Sequence, residues 1–233
     1  MLQDSPIAYY PMAETSGTVS RDVVAGRDIA WTGSHTIGVA GPANDARGVA
    51  VAGGQGSASS ALPVNTTAGG KNTVSFWFRW DGTNAVMPIT FGTQAGNNAL
   101  ALYVCDNGRL SFNTGYGDCY GPANHALPAN QWTHIAAVFQ NGTATASKLY
   151  INGRELPLSI LMWNPTSGGT NAQTIAGTLR LSGNPANANY RLGGALSNVA
   201  VFASELPASR VAEHFRAGSR EYPAAVLLDA PSA

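Results

Sequence analysis

Residues 130–156 constrain the fold more than any other stretch of this chain. In Asn130-Gln131-Trp132-Thr133-His134-Ile135-Ala136-Ala137-Val138-Phe139, side chains alternate with period two. Trp132, His134, Ala136 and Val138 share one face; Thr133, Ile135, Ala137 and Phe139 share the other. Both faces are nearly apolar, which suits a strand in the middle of a two-layer β structure. Lys148 to Asn152 reads as its antiparallel partner, and Asn152-Gly153 supplies the positive φ of a tight hairpin turn before Arg154-Glu155-Leu156.

The rest of the chain repeats this grammar. Thr73-Val74-Ser75-Phe76-Trp77-Phe78-Arg79-Trp80 is the strongest strand by composition, with Val74, Phe76, Phe78 and Trp80 on one face and Ser75, Trp77 and Arg79 on the other. Ile7 to Met12 reads as a first strand whose Pro11 marks an edge or an end. Val19 to Asp22, Arg27 to Trp31, Gly48 to Gly53 and Ala58 to Val64 read as short strands, and Gly33 to Asp45 as a loop. Val86 to Phe91 follows. Asn98 to Cys105 and Arg109 to Thr114 form a hairpin turning at Asn107-Gly108, which sets Cys105 opposite Leu110. Pro157 to Gly177 is an Asn/Gly/Thr-rich excursion, and Leu179 to Leu181 and Leu192 to Phe202 close the sheets. One helix is expected: Pro207 in its first turn, Val211 and Phe215 on one face, Gly218 past its end. The prediction is an all-β chain, a two-sheet antiparallel β-sandwich or jelly roll with one short C-terminal helix.

Composition narrows the partners. Charged residues are 11% of the 233 and the formal net charge is zero. Lys71 and Lys148 are the only lysines, and the arginines are scattered, so no nucleic-acid groove is expected. No apolar run approaches a membrane span. Nothing after Met1 reads as a secretory signal, which leaves a cytosolic, processed or non-classically exported chain. Cys105 and Cys119 are the only cysteines. They are a candidate disulfide, closing a loop worth roughly 3 kcal/mol, or two partly buried thiols; the expected hairpin register argues against a simple bridge.

The final residues Val226-Leu227-Leu228-Asp229-Ala230-Pro231-Ser232-Ala233 echo the first, Met1-Leu2-Gln3-Asp4-Ser5-Pro6-Ile7-Ala8. The division this suggests is one domain over 1–218 and a tail, 219–233, resembling the start of a further repeat, as in a tandem array or homo-oligomer.

Ser5-Pro6-Ile7-Ala8-Tyr9-Tyr10-Pro11-Met12-Ala13-Glu14-Thr15-Ser16-Gly17-Thr18 resembles the opening of bacterial and phage laminin-G-like domains of the concanavalin A-like lectin/glucanase superfamily. Thr73–Trp80, Gln131–Phe139 with Lys148–Gly153, and Leu192–Phe202 with the helix resemble its later blocks. The resemblance implies a sandwich of two antiparallel sheets and a structural calcium ion near the domain start. Glu14 and Asp22, flanking a Ser/Thr/Gly turn, are the candidate ligands, although Val23-Val24 departs from the family's Ser-Gly-Asn run; turn capping is the alternative. The opening phrase, common in phage tail proteins, suggests a virion-surface or extracellular setting, as a tail or capsid decoration protein.

Enzymatic chemistry finds little support. The Glu-x-Asp-x-x-Glu run of the fold's glucanases is absent. His35, His125, His134 and His214 are dispersed, read as surface or strand histidines, and no Gly-x-Ser-x-Gly elbow exists, though a Ser-His-Asp triad stays open on sequence order. Glycan binding is the leading expectation, through aromatic faces and amides. Tyr116, Tyr120, Trp163 with Asn164, and Tyr190 near Asn187 and Asn189 are the loop candidates. Trp77 with Arg79 is the sheet candidate, whose bland alternative is packing of Trp77 under the helix. A decoration domain that contacts only other surface proteins, and an accessory domain of a secreted enzyme, are the competing expectations.

Overall fold

In the computed structural model, residues 1–44, 46–92, 99–113, 119–162, 178–184 and 188–219 are described, without the side chains of 99, 100 and 188. The strands, in chain order, are β1 (Ala8–Tyr10), β2 (Val19–Ser20), β3 (Ile29–Thr32), β4 (His35–Ala40), β5 (Arg47–Ala52) and β6 (Gln55–Ala58). Then come β7 (Lys71–Trp80), β8 (Val86–Gly92), β9 (Ala99–Val104), β10 (Leu110–Asn113), β11 (Cys119–Gly121) and β12 (Trp132–Gln140). The last are β13 (Lys148–Ile151), β14 (Arg154–Leu156), β15 (Ser159–Met162), β16 (Arg180–Leu181) and β17 (Gly193–Phe202), before helix α1 (Ala208–Gly218). Every pairing among them is antiparallel, and they form two sheets. Sheet A runs β14-β13-β12-β7-β17-β5-β4, with β1 also on β17; sheet B runs β15-β11-β10-β9-β8-β16-β6-β3-β2.

Strands β12 and β13 lie inside sheet A, β12 sitting between β7 and β13. Its two faces separate cleanly. Ile135, Ala137 and Phe139 join Val74, Phe76 and Phe78 in the core between the sheets. Ala136 and Val138 face outward and pack with Tyr150, Ala200, Phe202, Leu206 and Val211 under α1. Burying each large apolar side chain of this kind contributes roughly 1.5–3 kcal/mol. The turn at Asn152 (φ 50°) and Gly153 (φ 76°) adopts the left-handed conformation that Asn-Gly favours.

Helix α1 packs on the outer face of sheet A, with Val211 in the cluster there. Ser75 of β7 is flanked in register by Ala136 and Ala200, three small side chains in a row. Pro207 is the N-cap residue rather than part of the first turn, and Gly218 is the last helical residue rather than the one beyond it. Only glycine fits at 218, since a Cβ there would stand 2.5 Å from Trp77 Nε1.

Three local expectations need correction. Residues 33–45 contain a strand, β4, not only a loop. Its register shifts between Ile37 and Val39 around Gly38 (φ 88°), a bulge that breaks the period-two pattern. Strand β6 ends at Ala58, where the sequence suggested that a strand begins. In the β9–β10 hairpin a 3₁₀ turn over Asp106–Gly108 pairs Leu110 with Val104, not with Cys105. Strand β11 then folds back on β10, with Tyr120 opposite Phe112, and carries Cys119 to Cys105: the two are disulfide-bonded, with Cα atoms 6.8 Å apart.

Candidate functional site

Strand β17 changes partner along its length. Gly193–Leu196 pair with β5, and Val199–Val201 pair with β1. Between them its register against β7 shifts, and Asn198 takes a left-handed conformation (φ 51°). Such a bulge re-aims a side chain. Here it presents Asn198 to Tyr9, whose hydroxyl donates to Asn198 Oδ1 at 2.7 Å. Asn198 Nδ2 in turn donates to Ser197 Oγ at 2.9 Å.

Beside this bulge, the part of sheet A not covered by α1 forms a groove. One cavity of about 570 Å³ is bounded by Tyr9, Trp77, Asn198, Arg210, Glu213 and the N-terminal residues. A second of about 360 Å³ is bounded by Gln131, Trp132, Asn152 and Phe215. The two meet at Pro42 and Trp77. Trp132 is half-buried, and Arg79, its cross-strand neighbour, lies with Cζ 5.6 Å from the ring centroid. Trp77 is almost wholly buried, its ring tilted against Phe215 at 5.9 Å and His134 at 5.3 Å, so it supplies the groove with a floor. The groove thus combines aromatic surface, amides and a few charges within the size range of small-molecule sites.

Under α1 runs a chain of polar side chains that the dispersed histidines did not suggest. His214 Nε2 lies 2.7 Å from Asp4 Oδ2, His214 Nδ1 lies 3.2 Å from Ser75 Oγ, and Ser75 Oγ lies 3.1 Å from His134 Nε2. With Asp4 ionised and both histidines neutral, one proton arrangement satisfies all three contacts. His214 donates to Asp4, Ser75 donates to His214, and His134 donates to Ser75. His134 Nδ1 is then an acceptor without a partner, matching its isolation in the structure. Burial pushes the His134 pKa down to about 3, and nearby His214 adds to this. Asp, His and Ser do stand in the order of a catalytic triad. Ser75, however, is fully buried in mid-strand, so its hydroxyl meets no substrate in this arrangement.

The loop candidates do not form one constellation. Tyr120 lies on β11 opposite Phe112, packs against the core, and donates its hydroxyl to Thr145 O at 2.9 Å, closing one end of the sandwich. Tyr190 sits edge-on to Tyr103 at 5.9 Å, beside sheet B. Tyr116, Trp163, Asn164 and Asn187 lie outside the described residues, as do residues 220–233 of the terminal echo.

At the expected calcium site the donor set does not fit a cation. Asp22 Oδ1 accepts from Tyr9 N and Val24 N, and Oδ2 accepts from Ala25 N and Arg27 N, all at 3.0–3.2 Å. Four N–H dipoles converging on one carboxylate occupy the lone pairs a metal would need. Glu14 Oε1 accepts Arg21 N at 2.8 Å, while Oε2 is buried without a partner. Among the described residues no group of three His, Cys, Asp or Glu could hold a metal ion.

The profile described as "Concanavalin A-like lectin/glucanases superfamily" matches residues 53–212. No curated protein sequence matches. Among solved structures, domain 4 of AbnA, an extracellular arabinanase of Geobacillus stearothermophilus seen with arabinotriose, superposes with a TM-score of 0.59 at 16% identity, covering 89% of this chain and 97% of that domain. The binding domain of botulinum neurotoxin serotype D/C gives 0.61 at 13% identity, covering 94% of this chain and 53% of that one. Trypanosoma rangeli sialidase gives 0.59 at 14% identity, covering 90% and 32%. The chain therefore spans about half of the neurotoxin domain and a third of the sialidase, and at these identities the likeness is one of fold.

Proposed function

Since the chain belongs to the concanavalin A-like lectin/glucanase superfamily, we propose that it is a non-catalytic glycan-recognition module. The observation that carries this reading is the groove beside α1, where Trp132, Tyr9 and Phe215 stand among Asn198, Gln131 and Asn152. A pyranose presents an apolar face and a rim of hydroxyls, and this lining offers rings for the first and amides for the second. Arg79 against Trp132 holds that ring in place from the neighbouring strand.

The setting is a surface: a virion tail or capsid decoration, read from the opening phrase Ser5 to Thr18, or the accessory domain of a secreted enzyme. The second is favoured by the likeness to one whole domain of an extracellular arabinanase in complex with arabinotriose. Among the described residues no helix is long and apolar enough to cross a membrane. A glycan array followed by titration calorimetry tests the reading. Binding of a defined oligosaccharide, weakened about tenfold by Trp132→Ala, supports it; no binding at high protein concentration overturns it.

A further inference from the structure

A third cavity, away from the groove, has different chemistry. It opens between the sheets where β14, an edge of sheet A, leads through Pro157 and Leu158 into β15, an edge of sheet B. Its volume is about 320 Å³, and Pro122, Leu156, Pro157 and Leu158 give it an apolar wall. Its polar groups are Asn124, His125, Arg154 and Ser159.

Arg154 is the single full charge in that lining, and no carboxylate joins it. The alternation of β14 explains why. Arg154 and Leu156 point to one side, toward the cavity, while Glu155 points to the other, opposite Tyr150 of the cluster under α1. Arg154 is exposed and makes no ion pair among the described residues. His125 Nε2 is buried with no hydrogen-bond partner. His125 also borders a neighbouring cavity of about 240 Å³ that carries Arg109 and Asn107.

We propose that this cleft binds an acidic sugar, its carboxylate on Arg154, its hydroxyls on Asn124 and Ser159, and its apolar face on Leu156 and Leu158. A planar guanidinium matches a carboxylate in two hydrogen bonds. Asn124 and Ser159, both exposed in the lining, offer an amide and a hydroxyl to the sugar's hydroxyls. Arg109 in the adjoining cavity is placed to meet a second acidic residue of a longer chain.

Calorimetric titration of the full chain with D-glucuronate, D-galacturonate, the corresponding neutral methyl glycosides and acetate tests this. A uronic acid is expected to bind at least about tenfold tighter than its neutral counterpart. Arg154→Gln, on an exposed edge, should remove that preference while leaving the thermal midpoint unchanged. Trp132→Ala should leave uronate binding intact, which separates this cleft from the groove beside α1. Uronate binding that survives Arg154→Gln, acetate binding as tight as uronate, or no uronate binding at millimolar concentration would each overturn the proposal.

Discussion

Asp4 and His214, 210 residues apart in the chain, meet at 2.7 Å beneath α1. The contact ties the first turn of the polypeptide to its last described element. Arg210, one helical turn before His214, bonds the same carboxylate through Nε at 2.5 Å and through a second nitrogen at 3.0 Å. These Arg210 bonds first, and then His214, hold the Asp4 carboxyl below its ordinary 3.8. Asp4→Asn keeps the shape but removes the charge. It should cost about 2 kcal/mol, the worth of a hydrogen bond to a charged group, in urea unfolding at neutral pH. Because the folded pKa is the lower one, the contribution is complete above the usual carboxylate value and fades as pH falls through the folded value. Wild type and variant should therefore converge in strongly acidic buffer.

His134 gives stability a slope at milder acidity. Its folded pKa of about 3 lies far below the ordinary 6.5, through burial first and His214 second. Between those limits the unfolded chain binds a proton that the folded chain refuses. Stability is then full above pH 6.5 and falls by about 1.4 kcal/mol per pH unit below it. Burial lowers the His214 pKa too, against the opposing pull of Asp4, so it adds slope of the same sign. His134→Gln retains a side chain able to bond Ser75 and does not titrate. Stability curves measured from pH 7 to 4 should be flatter for this variant by one proton's slope; parallel curves would reject the assignment.

The sandwich was legible because its central strands obey simple periodicity. In β7 the inward row of Val74, Phe76 and Phe78 and the outward Ser75 and Trp77 stand where alternation puts them. Val211 and Phe215 likewise marked the face of α1. Irregular backbone was not legible: β4 was lost to the bulge at Gly38. The groove was only half visible. Trp77 and Arg79 stood out, but Tyr9 and Asn198, 189 residues apart, converge only through the bulge in β17. Local pattern carries no information about that register. The same limit hid Asp4–His214–Ser75–His134, whose members come from four elements that only tertiary packing brings together.

The Asp22 turn separates a capping carboxylate from a metal ligand. Asp22 also donates its own N–H to Asp28 Oδ1 at 3.0 Å, and Asp28 Oδ2 pairs with Arg21, so the two acids organise the turn between β2 and β3, Asp22 through backbone N–H groups. Asp22→Ala leaves four backbone donors without their acceptor, those of half-buried Tyr9 and Arg27 and of exposed Val24 and Ala25, and a loss on the order of 3 kcal/mol is expected. That loss should be the same in calcium and in chelator, read by the thermal midpoint. A larger loss in calcium would mean that the carboxylate serves an ion after all.

The disulfide offers the last test, because its effect acts largely on the unfolded chain. Cys105 follows β9 and Cys119 begins β11, with a sequence separation of 14. Closing a loop of that length removes conformational freedom worth about 3 kcal/mol from the denatured ensemble. Both sulfurs lie in the interior, Cys105 and Cys119 being 2% and 1% exposed. Mild reductant should therefore act slowly on the folded protein and quickly once denaturant opens it. The double variant Cys105→Ala/Cys119→Ala should unfold at lower denaturant by roughly that free energy. It should still bind ligand in the groove beside α1, whose lining lies on the outer face of sheet A and includes neither cysteine. A variant as stable as wild type would show that the bridge constrains little; a variant that loses groove binding while remaining folded would couple sheet B to the groove.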